Sequence, residues 1–234
     1  MLAEPSRVSV IVPCHNEGRY VQAFCVGVMR QQLPPGWSLE VVMADGVSDD
    51  GTWEVLQGIA AADPRLLLIS NPQRIVSTGL NRALQQTTGE VIVRMDMHTE
   101  YAPDYIAQCI AALRETNADN AGGPWYAQPE ENAGPLQCAV AAAFQSRWVM
   151  GGALSRQLDY SGWIDTVYLG SWPRATFERY GDFDESLVRN QDDEHNLRIR
   201  RGGGRVWQSA RIRSAYRPRA GLFKVFRQYL QYGY

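Results

Sequence analysis

An acidic and an imidazole side chain stand two residues apart at the end of a short apolar run. Residues 91–93 are Val-Ile-Val and predict a buried strand, which Asp96 and His98 follow. In an extended segment the side chains at positions i and i+2 point to the same face, so these two would lie side by side. A carboxylate and an imidazole in that arrangement could hold one divalent cation. The alternative is a turn at the end of the strand in which both side chains are solvated.

Two further polar clusters follow predicted strands, at residues 13–17 and 45–51. Neither contains the glycine pattern of a dinucleotide or P-loop site, so they offer acceptors rather than phosphate-binding amides. Because the carboxyl ends of parallel strands meet at one edge of a sheet, we expect all three clusters to converge. Their acceptors suit a sugar nucleotide whose diphosphate is neutralised by a cation. Residues 45–51 could also be a plain helix-capping turn, and we expect Ser48 or Asp49 to cap while Asp45 faces the ligand.

An acidic cluster, Asp192, Asp193 and Glu194, opens a predicted helix further along the chain. Carboxylates there complement the positive end of the helix dipole, which is a sufficient structural reason for them. Carboxylates close together also raise one another's pKa, so one of them could act as a general base. The sequence leaves both interpretations open.

The segment before the acidic cluster contains Trp163, Asp165 and Tyr168. An acceptor sugar could stack on these aromatic rings. Equally, Trp163 and Tyr168 could simply cover the core, since large aromatic side chains are usually buried.

The first half of the chain alternates between apolar strands and helices, which predicts an α/β fold with a parallel sheet of βαβ units. Beyond residue 126 the pattern is looser, and we expect a loop over residues 151–170. No repeat or linker interrupts the sequence, so residues 1–234 are predicted to form a single domain. The predicted strands cover 8–12, 39–44, 66–70, 91–95, 121–126 and one or two segments of 205–216; the predicted helices cover 18–32, 52–62, 78–86, 103–116, 136–148, 173–180, 192–201 and 222–232.

The net charge of −2 hides an uneven distribution. Residues 195–234 carry nine arginines, one lysine and no acidic residue, a charge of +10, whereas residues 1–194 carry −12. The basic end suggests an anionic partner such as a diphosphate or an acidic lipid surface. We expect no nucleic acid, because no nucleic-acid motif is present and the acidic part would repel a polyanion. The four scattered cysteines indicate free thiols in a reducing compartment.

The ends of the sequence also carry expectations. No secretory signal precedes the first strand, and no run approaches the roughly 18 apolar residues of a membrane-spanning helix. The chain stops within the predicted amphipathic helix over 222–232, so we expect the sequence to be truncated at its C-terminus.

Five motifs occur in order: VSVIVPCHNE, VVMADGVSDDGT, N-x-A-x-x-x-x-T-G-E before D-x-H, GDFDE, and N-Q-D-D-E-x-N-x-R. Together they resemble glycosyltransferase family 2, in particular bacterial exopolysaccharide enzymes of the succinoglycan glucosyltransferase type. The resemblance runs from about Val8 to Tyr232. It implies the GT-A fold, a mostly parallel central sheet with an elaborated acceptor-side C-terminal half, and inversion of the anomeric centre.

The resemblance also implies roles for the residues at the strand ends. Pro13 and Glu17 match the first nucleotide-binding motif, and Asp45 matches the carboxylate that reads the uracil edge. Asp96 matches the first Asp of the D-x-D metal motif, and His98 replaces the second. An imidazole suits Mn²⁺ better than Mg²⁺, so the expected cofactor is Mn²⁺, with Mg²⁺ as the alternative.

In the acidic cluster, Asp192 matches the catalytic base of the family. Gln191 stands where a Glu usually precedes it, which leaves Asp193 as an alternative base. Glu194 is expected to orient Asp192 or to raise its pKa. The weak Q-x-x-Q-Y match at 228–232 argues against a processive synthase.

The function implied is inverting, metal-dependent transfer of a sugar from a UDP-sugar to a hydroxyl of a saccharide or polyprenyl-linked saccharide. Residues 1–123 would bind the nucleotide sugar, and residues 124–234 would bind the acceptor and supply the base. We expect a role in polysaccharide or glycoconjugate biosynthesis, and a cytoplasmic location at the inner face of the plasma membrane with peripheral contact through the basic C-terminal region. One alternative is a sugar-phosphate nucleotidyltransferase, although only Gly18 and Arg19 stand where such enzymes carry a Gly-rich basic loop. The other is a non-enzymatic anion- or nucleic-acid-binding module.

Overall fold

A computed structural model describes residues 6–129, 133–150 and 153–216. Within these ranges, strands and helices alternate along the first half of the chain, as the sequence predicts. The strands are β1 (Arg7–Cys14), β2 (Ser38–Asp45), β3 (Leu66–Ser70), β4 (Val91–Arg94), β5 (Thr99–Tyr101), β6 (Asn120–Gly123), β7 (Gly162–Ile164), β8 (Tyr168–Pro173), β9 (Val206–Gln208) and β10 (Ser214–Tyr216). The helices are α1 (Val21–Met29), α2 (Thr52–Ala62), α3 (Val76–Gln85), α4 (Tyr105–Thr116), α5 (Pro135–Gln145), α6 (Arg147–Met150), α7 (Arg174–Tyr180) and α8 (Gln191–Arg201), with a 3₁₀ turn at Leu154–Arg156.

Eight strands form one sheet in the order β3-β2-β1-β4-β8-β6-β9-β7. Strands β3, β2, β1 and β4 are parallel neighbours, and Val10 of β1 lies between Val41 of β2 and Val93 of β4. β8 runs antiparallel to both β4 and β6, and β7 runs antiparallel to β9. The prediction of an α/β protein with a mostly parallel central sheet is confirmed.

Helices cover both faces of this sheet, which is why its central strands are apolar on both sides. On one face, β-strand residues such as Val10 and Val12 pack against Phe24 of α1 and Ile110 of α4. On the other face, Ile11 and its neighbours pack against residues of α3, α7 and α8 in a second apolar cluster. The sheet is therefore rigidly held, and its strand ends are fixed platforms for polar side chains.

Strand β8 is the main departure from the sequence prediction, because residues 151–170 were expected to form a loop. This segment also contains the 3₁₀ turn and β7. Leu169 and Gly170 adopt positive φ angles of 62° and 100°, so the start of β8 lacks the regular alternation of an extended strand. The strand is held by its neighbours: Ser171 donates its hydroxyl to the Ala121 carbonyl at 2.6 Å, and Trp172 is fully buried. Pairing on both sides, rather than local propensity, decides this element.

Other boundaries differ less. The helix predicted over 136–148 is two helices, because the backbone at Ser146 is extended (ψ 121°). Strand β5 was not predicted; it pairs with β10 in a separate two-stranded sheet. The helix predicted over 222–232, including the Q-x-x-Q-Y segment, lies outside the described residues. Among the helices that the structure describes, none has both the length and the apolar character that a membrane span requires.

Candidate active site

The three polar clusters of the first half do converge at one edge of the sheet. Cys14, the last residue of β1, lies opposite Asp45, the last residue of β2, and Pro13 lies opposite Ala44. The two loops that follow are tied together, because Asn16 and Asp49 exchange two hydrogen bonds of 2.9 and 3.0 Å. The parallel register therefore produces the expected convergence.

Asp45 is buried at the base of this edge, with 1% of its surface exposed. Its carboxylate accepts hydrogen bonds from the Ser48 backbone N–H (2.9 Å) and the Ser48 hydroxyl (2.5 Å). The expectation that Ser48 or Asp49 caps α2 is wrong: Asp50 accepts from the N–H and hydroxyl of Thr52 at the start of that helix. Ser48 instead holds Asp45 in one orientation inside its own loop.

Asp96 follows β4 and is held by an arginine of that strand. Arg94 donates to both Asp96 carboxylate oxygens, from Nε at 3.1 Å and from Nη2 at 3.2 Å. The Tyr101 hydroxyl fixes the Asp96 backbone, accepting from its N–H at 2.7 Å and donating to its carbonyl at 3.1 Å. The Asp96 side chain is 15% exposed and still reaches the surface of the site.

His98 lies on the other side of a tight turn rather than in an extended segment. The Thr99 N–H bonds to the Asp96 carbonyl at 3.2 Å, which closes the turn. The extended geometry predicted for this segment is therefore wrong, although Met97 is buried while Asp96 and His98 are partly exposed. Met97 differs from its two neighbours in burial because it belongs to the apolar core beneath the turn.

The imidazole of His98 is oriented by Glu17 at the end of the first loop. Nδ1 of His98 and Oε1 of Glu17 are 3.1 Å apart. Burial opposes protonation of His98, but the hydrogen bond with Glu17 and the nearby Asp96 carboxylate outweigh it, so the pKa of His98 is raised. Glu17 thus lies beside His98, and its predicted contact with the nucleotide remains a prediction.

The chemistry of these donors fits a divalent cation that also takes ligands from its substrate. Metal-bound histidines usually give their second ring nitrogen to a carboxylate, as His98 does to Glu17, and this leaves Nε2 for a metal. Asp96 would supply a carboxylate oxygen. Within the described ranges, no three Asp, Glu, His or Cys side chains are grouped closely enough to bind a metal by themselves. That Asp96 and His98 hold such an ion, with the remaining ligands supplied from outside the chain, therefore stays a prediction.

The acidic cluster opens α8, and its three carboxylates have different partners. Asp192 faces the sheet, with Oδ2 at 4.0 Å from Nη1 of Arg94. Asp193 accepts from the Thr166 hydroxyl at 2.6 Å. Glu194 points along the helix and forms a bidentate pair with Arg198, four residues on.

These placements separate Asp192 from its neighbours. Burial raises the pKa of Asp192, the Arg94 guanidinium opposes the rise, and the Asp193 carboxylate adds to it. The expectation that Glu194 orients Asp192 finds no support in the contacts, because Glu194 is engaged by Arg198. Among the described residues, Asp192 is the one of the three that makes an ion pair with an arginine of the central sheet, and its role as the base stays a prediction.

The three predicted acceptor residues do not lie together. Tyr168 begins β8 next to the turn formed by residues 96–99, and its hydroxyl bonds to Thr99 Oγ1 at 3.0 Å. Trp163 lies on edge strand β7, separated from β8 by β6 and β9, and the Arg205 guanidinium stacks on it at 4.3 Å. Asp165 lies near the end of the sheet where β9 begins, beside a cavity of about 480 Å³ that Trp163 also lines. Tyr168 is thus close to the candidate site, Trp163 lies on the far edge strand of the sheet, and Asp165 directly precedes Thr166, which bonds to Asp193.

Sequence reasoning missed Arg94 and Tyr101, which hold Asp96 in place. A signal for Arg94 was available: a charged residue at the end of an apolar strand is buried only when it is paired. Arg94 is 6% exposed. Tyr101 had no such signal, because its contact depends on the turn between β4 and β5.

The chain is similar in sequence to several known proteins. A family model described as "Glycosyl transferase family 2" matches residues 9–145. The chain is 32% identical over 226 residues to the succinoglycan biosynthesis protein ExoA of Rhizobium meliloti, covering 96% of this chain and 67% of that protein. It is 22% identical over 233 residues to a dolichyl N-acetyl-alpha-D-glucosaminyl phosphate glucuronosyltransferase of Methanococcus voltae, covering 97% and 71%.

Solved structures share the fold. The mannosyltransferase PcManGT from Pyrobaculum calidifontis, in complex with GDP-Man and Mn²⁺, superposes with a TM-score of 0.70 at 23% identity, covering 97% of this chain and 62% of that one. TarS of S. aureus in complex with UDP-GlcNAc gives a TM-score of 0.67 at 17% identity, covering 92% and 59%. The chain therefore spans about 60% of the length of these structures. The predicted GT-A fold and the resemblance drawn from the five motifs are confirmed.

Proposed function

This chain belongs to glycosyl transferase family 2, and we propose that it is an inverting, metal-dependent enzyme that moves a sugar from a UDP-sugar to an acceptor hydroxyl. The predicted class of enzyme, a glycosyltransferase, agrees with the family. The observation that carries the proposal is the placement of two carboxylates, Asp96 from the sheet and Asp192 from α8, against the same guanidinium of Arg94. One carboxylate is on the donor side, and the other is positioned to act as a base.

The reaction we assign to the site is a single in-line displacement. Asp192 takes the proton of an acceptor hydroxyl, whose oxygen attacks the anomeric carbon from the face opposite UDP. Asp96 and His98 would hold a divalent cation, which when bound offsets the charge that develops on the leaving diphosphate. Partial burial of Asp192 favours its role, because a carboxylate with a raised pKa is a stronger base.

The nucleoside part of the donor is assigned to the loops after β1 and β2. The Asp45 carboxylate is held in place by Ser48 and would accept from the base, while Pro13 and Glu17 border the same edge. We assign nucleotide-sugar binding to residues 1–123, and acceptor binding and the base to residues 124–234. Of the three predicted acceptor residues, we assign Tyr168 to the reacting end of the acceptor, and Trp163 and Asp165 to a longer acceptor.

The biological role follows from the relatives. ExoA is named for succinoglycan biosynthesis, and the Methanococcus voltae relative is named for a dolichyl-linked substrate. We therefore assign this chain to the synthesis of a polysaccharide or glycoconjugate, with a saccharide or polyprenyl-linked saccharide as acceptor. A location at the cytoplasmic face of the plasma membrane, with peripheral contact through the basic C-terminal region, suits such an acceptor.

A donor screen tests the proposal. The purified chain is incubated with Mn²⁺ and each UDP-, GDP- and dTDP-sugar, and the released nucleotide is quantified with and without EDTA. Metal-dependent release of UDP is the expected result. In a parallel reaction with a sugar 1-phosphate and UTP, release of pyrophosphate would indicate a nucleotidyltransferase instead. A response to GDP-sugars alone would overturn the uracil assignment of Asp45, and full activity in EDTA would overturn the metal assignment of Asp96 and His98.

A further inference from the structure

Arg94 is a buried charge whose ionic partners are two carboxylates from different parts of the fold. It ends β4 with 6% of its surface exposed. Two of its three nitrogens are used by Asp96, at 3.1 and 3.2 Å. The third, Nη1, is enclosed and has no hydrogen-bond partner among the described residues. Oδ2 of Asp192 lies 4.0 Å from this nitrogen.

A purely structural arginine in this sheet looks different. Arg174 follows β8 at the opposite end of the sheet, and it donates to the Gly89 carbonyl at 2.7 Å and the Thr87 hydroxyl at 2.9 Å. Neutral acceptors of the backbone and a threonine satisfy it. Arg94 instead leaves one enclosed nitrogen 4.0 Å from a carboxylate oxygen, beyond hydrogen-bond range, and an unsatisfied buried polar group destabilises a fold.

We propose that Arg94 is a positioning residue for the transfer reaction, holding the donor-side carboxylate Asp96 and the base Asp192 in one fixed relation. This inference rests on the proposed function, because it takes Asp192 as the base. Since Nε and Nη2 already donate to Asp96, Nη1 is the nitrogen of the planar guanidinium that has no hydrogen-bond partner among the described residues, and Oδ2 of Asp192 lies 4.0 Å from it. The guanidinium therefore fixes the first turn of α8 relative to the end of β4. Small errors in the placement of a reacting group reduce the rate strongly, so such a link has a catalytic consequence.

The test is a double-mutant cycle between Arg94 and Asp192. The variants are Arg94→Gln, Asp192→Asn and the two combined, with Arg174→Gln as the control for loss of a partly buried, hydrogen-bonded arginine. The maximal rate and the donor KM are measured in each, and thermal unfolding is recorded alongside. We expect Arg94→Gln to lower kcat by about tenfold to a hundredfold, the range seen when the outer partner of a functional ligand is removed. Arg174→Gln should lower the unfolding temperature and leave kcat within about threefold of the parent.

The split between kcat and KM separates positioning from support of the fold. If Arg94 acts on the base, Arg94→Gln in the Asp192→Asn background should change kcat by less than about threefold. The donor KM should rise on loss of Arg94 in both backgrounds, because Asp96 loses its clamp. Arg94→Lys keeps the charge without the fork, and it should recover only part of kcat. If Arg94→Gln does not fold, Arg94→Lys takes its place in the double-mutant cycle.

Each remaining outcome overturns one of the two ideas. Normal kcat in Arg94→Gln together with a slow Asp192→Asn would refute the role of Arg94 and leave the base in place. Losses that multiply in the double variant would mean that Arg94 acts independently of Asp192, which also refutes the inference. Near-normal turnover in Asp192→Asn would instead refute the proposed function itself.

Discussion

Replacing Asp192 by Asn tests the assignment of the base, and the same helical turn provides its own controls. The amide has nearly the shape of the carboxylate, but it cannot accept the acceptor's proton. General-base assistance typically contributes about 10²- to 10⁴-fold in rate, so kcat should fall at least about a hundredfold, equivalent to about 2.7 kcal/mol of barrier. Asp193→Asn and Glu194→Gln remove neighbouring carboxylates and should keep kcat within about tenfold of the parent.

The contacts set the effects of these variants on stability. Two unit charges 4.0 Å apart, the separation of Arg94 and Asp192, interact with roughly 4 kcal/mol at an effective dielectric constant near 20. Removing the partly buried Asp192 carboxylate also removes its desolvation penalty, and solvent screens the pair, so the net loss of unfolding free energy should be smaller than that figure. Glu194→Gln loses a half-exposed i,i+4 pair worth about 0.3–0.5 kcal/mol. Asp193→Asn weakens one hydrogen bond from Thr166, worth about 1 kcal/mol.

The assay is steady-state turnover with the donor identified by the screen, together with calorimetric titration of UDP into each variant. Asp192→Asn should bind UDP with near-parental affinity, because the loss is in the chemical step. If Asp192→Asn turned over normally while Asp193→Asn did not, the base assignment would be wrong. If all three variants were equally slow, the acidic turn would act through the helix as a whole.

Three other perturbations follow from the same geometry. His195 is fully buried, and burial lowers its pKa to about 4. Between pH 6.5 and 4 the unfolded chain therefore binds a proton that the folded chain does not, and the free energy of unfolding should fall by up to about 3 kcal/mol as the pH is lowered through that window. Chemical denaturation of His195→Gln should show a shallower fall with pH, and an unchanged slope would contradict this. A Cβ at Gly123 would overlap the Ile212 carbonyl oxygen, so Gly123→Ala should lose about 1–3 kcal/mol or more of unfolding free energy, a prediction that a Tm equal to the parent's would refute. His98→Ala should weaken Mn²⁺ binding in the presence of UDP by at least about tenfold in a calorimetric titration. The control is His15→Ala, which changes another histidine at the same sheet edge. Equal losses of affinity in both variants would refute the assignment of His98 to the metal site.

The alternating first half of the chain could be predicted because each strand and helix there follows from local patterns. Helix α2 and strand β3 have the predicted bounds, and the loops after β1, β2 and β4 lie at one edge because the parallel register requires it. Strand β8 could not be predicted in the same way. Its positive φ angles and its serine, glycine and proline are tolerated only because β4 and β6 pair with it on both sides.

The candidate site, too, could be predicted only in part. The residue types of Asp45, Asp96, His98 and Asp192, and their order in the family motifs, were evident from the sequence. The partner of each was not: Ser48 orders Asp45, Glu17 orders His98, and Arg94 links Asp96 to Asp192.

By itself, then, the sequence determined the class of fold, the family and the acidic character of the strand ends, because periodicity and motif order are properties of neighbouring residues. Only the tertiary structure decided which carboxylate faces the sheet and which are turned away. That choice depends on the pairing of Arg94 with residues at positions 96 and 192. A buried guanidinium is stable only where the folded chain brings opposite charges to it, so the local sequence could indicate that Arg94 is paired but not that Asp192 is its second partner.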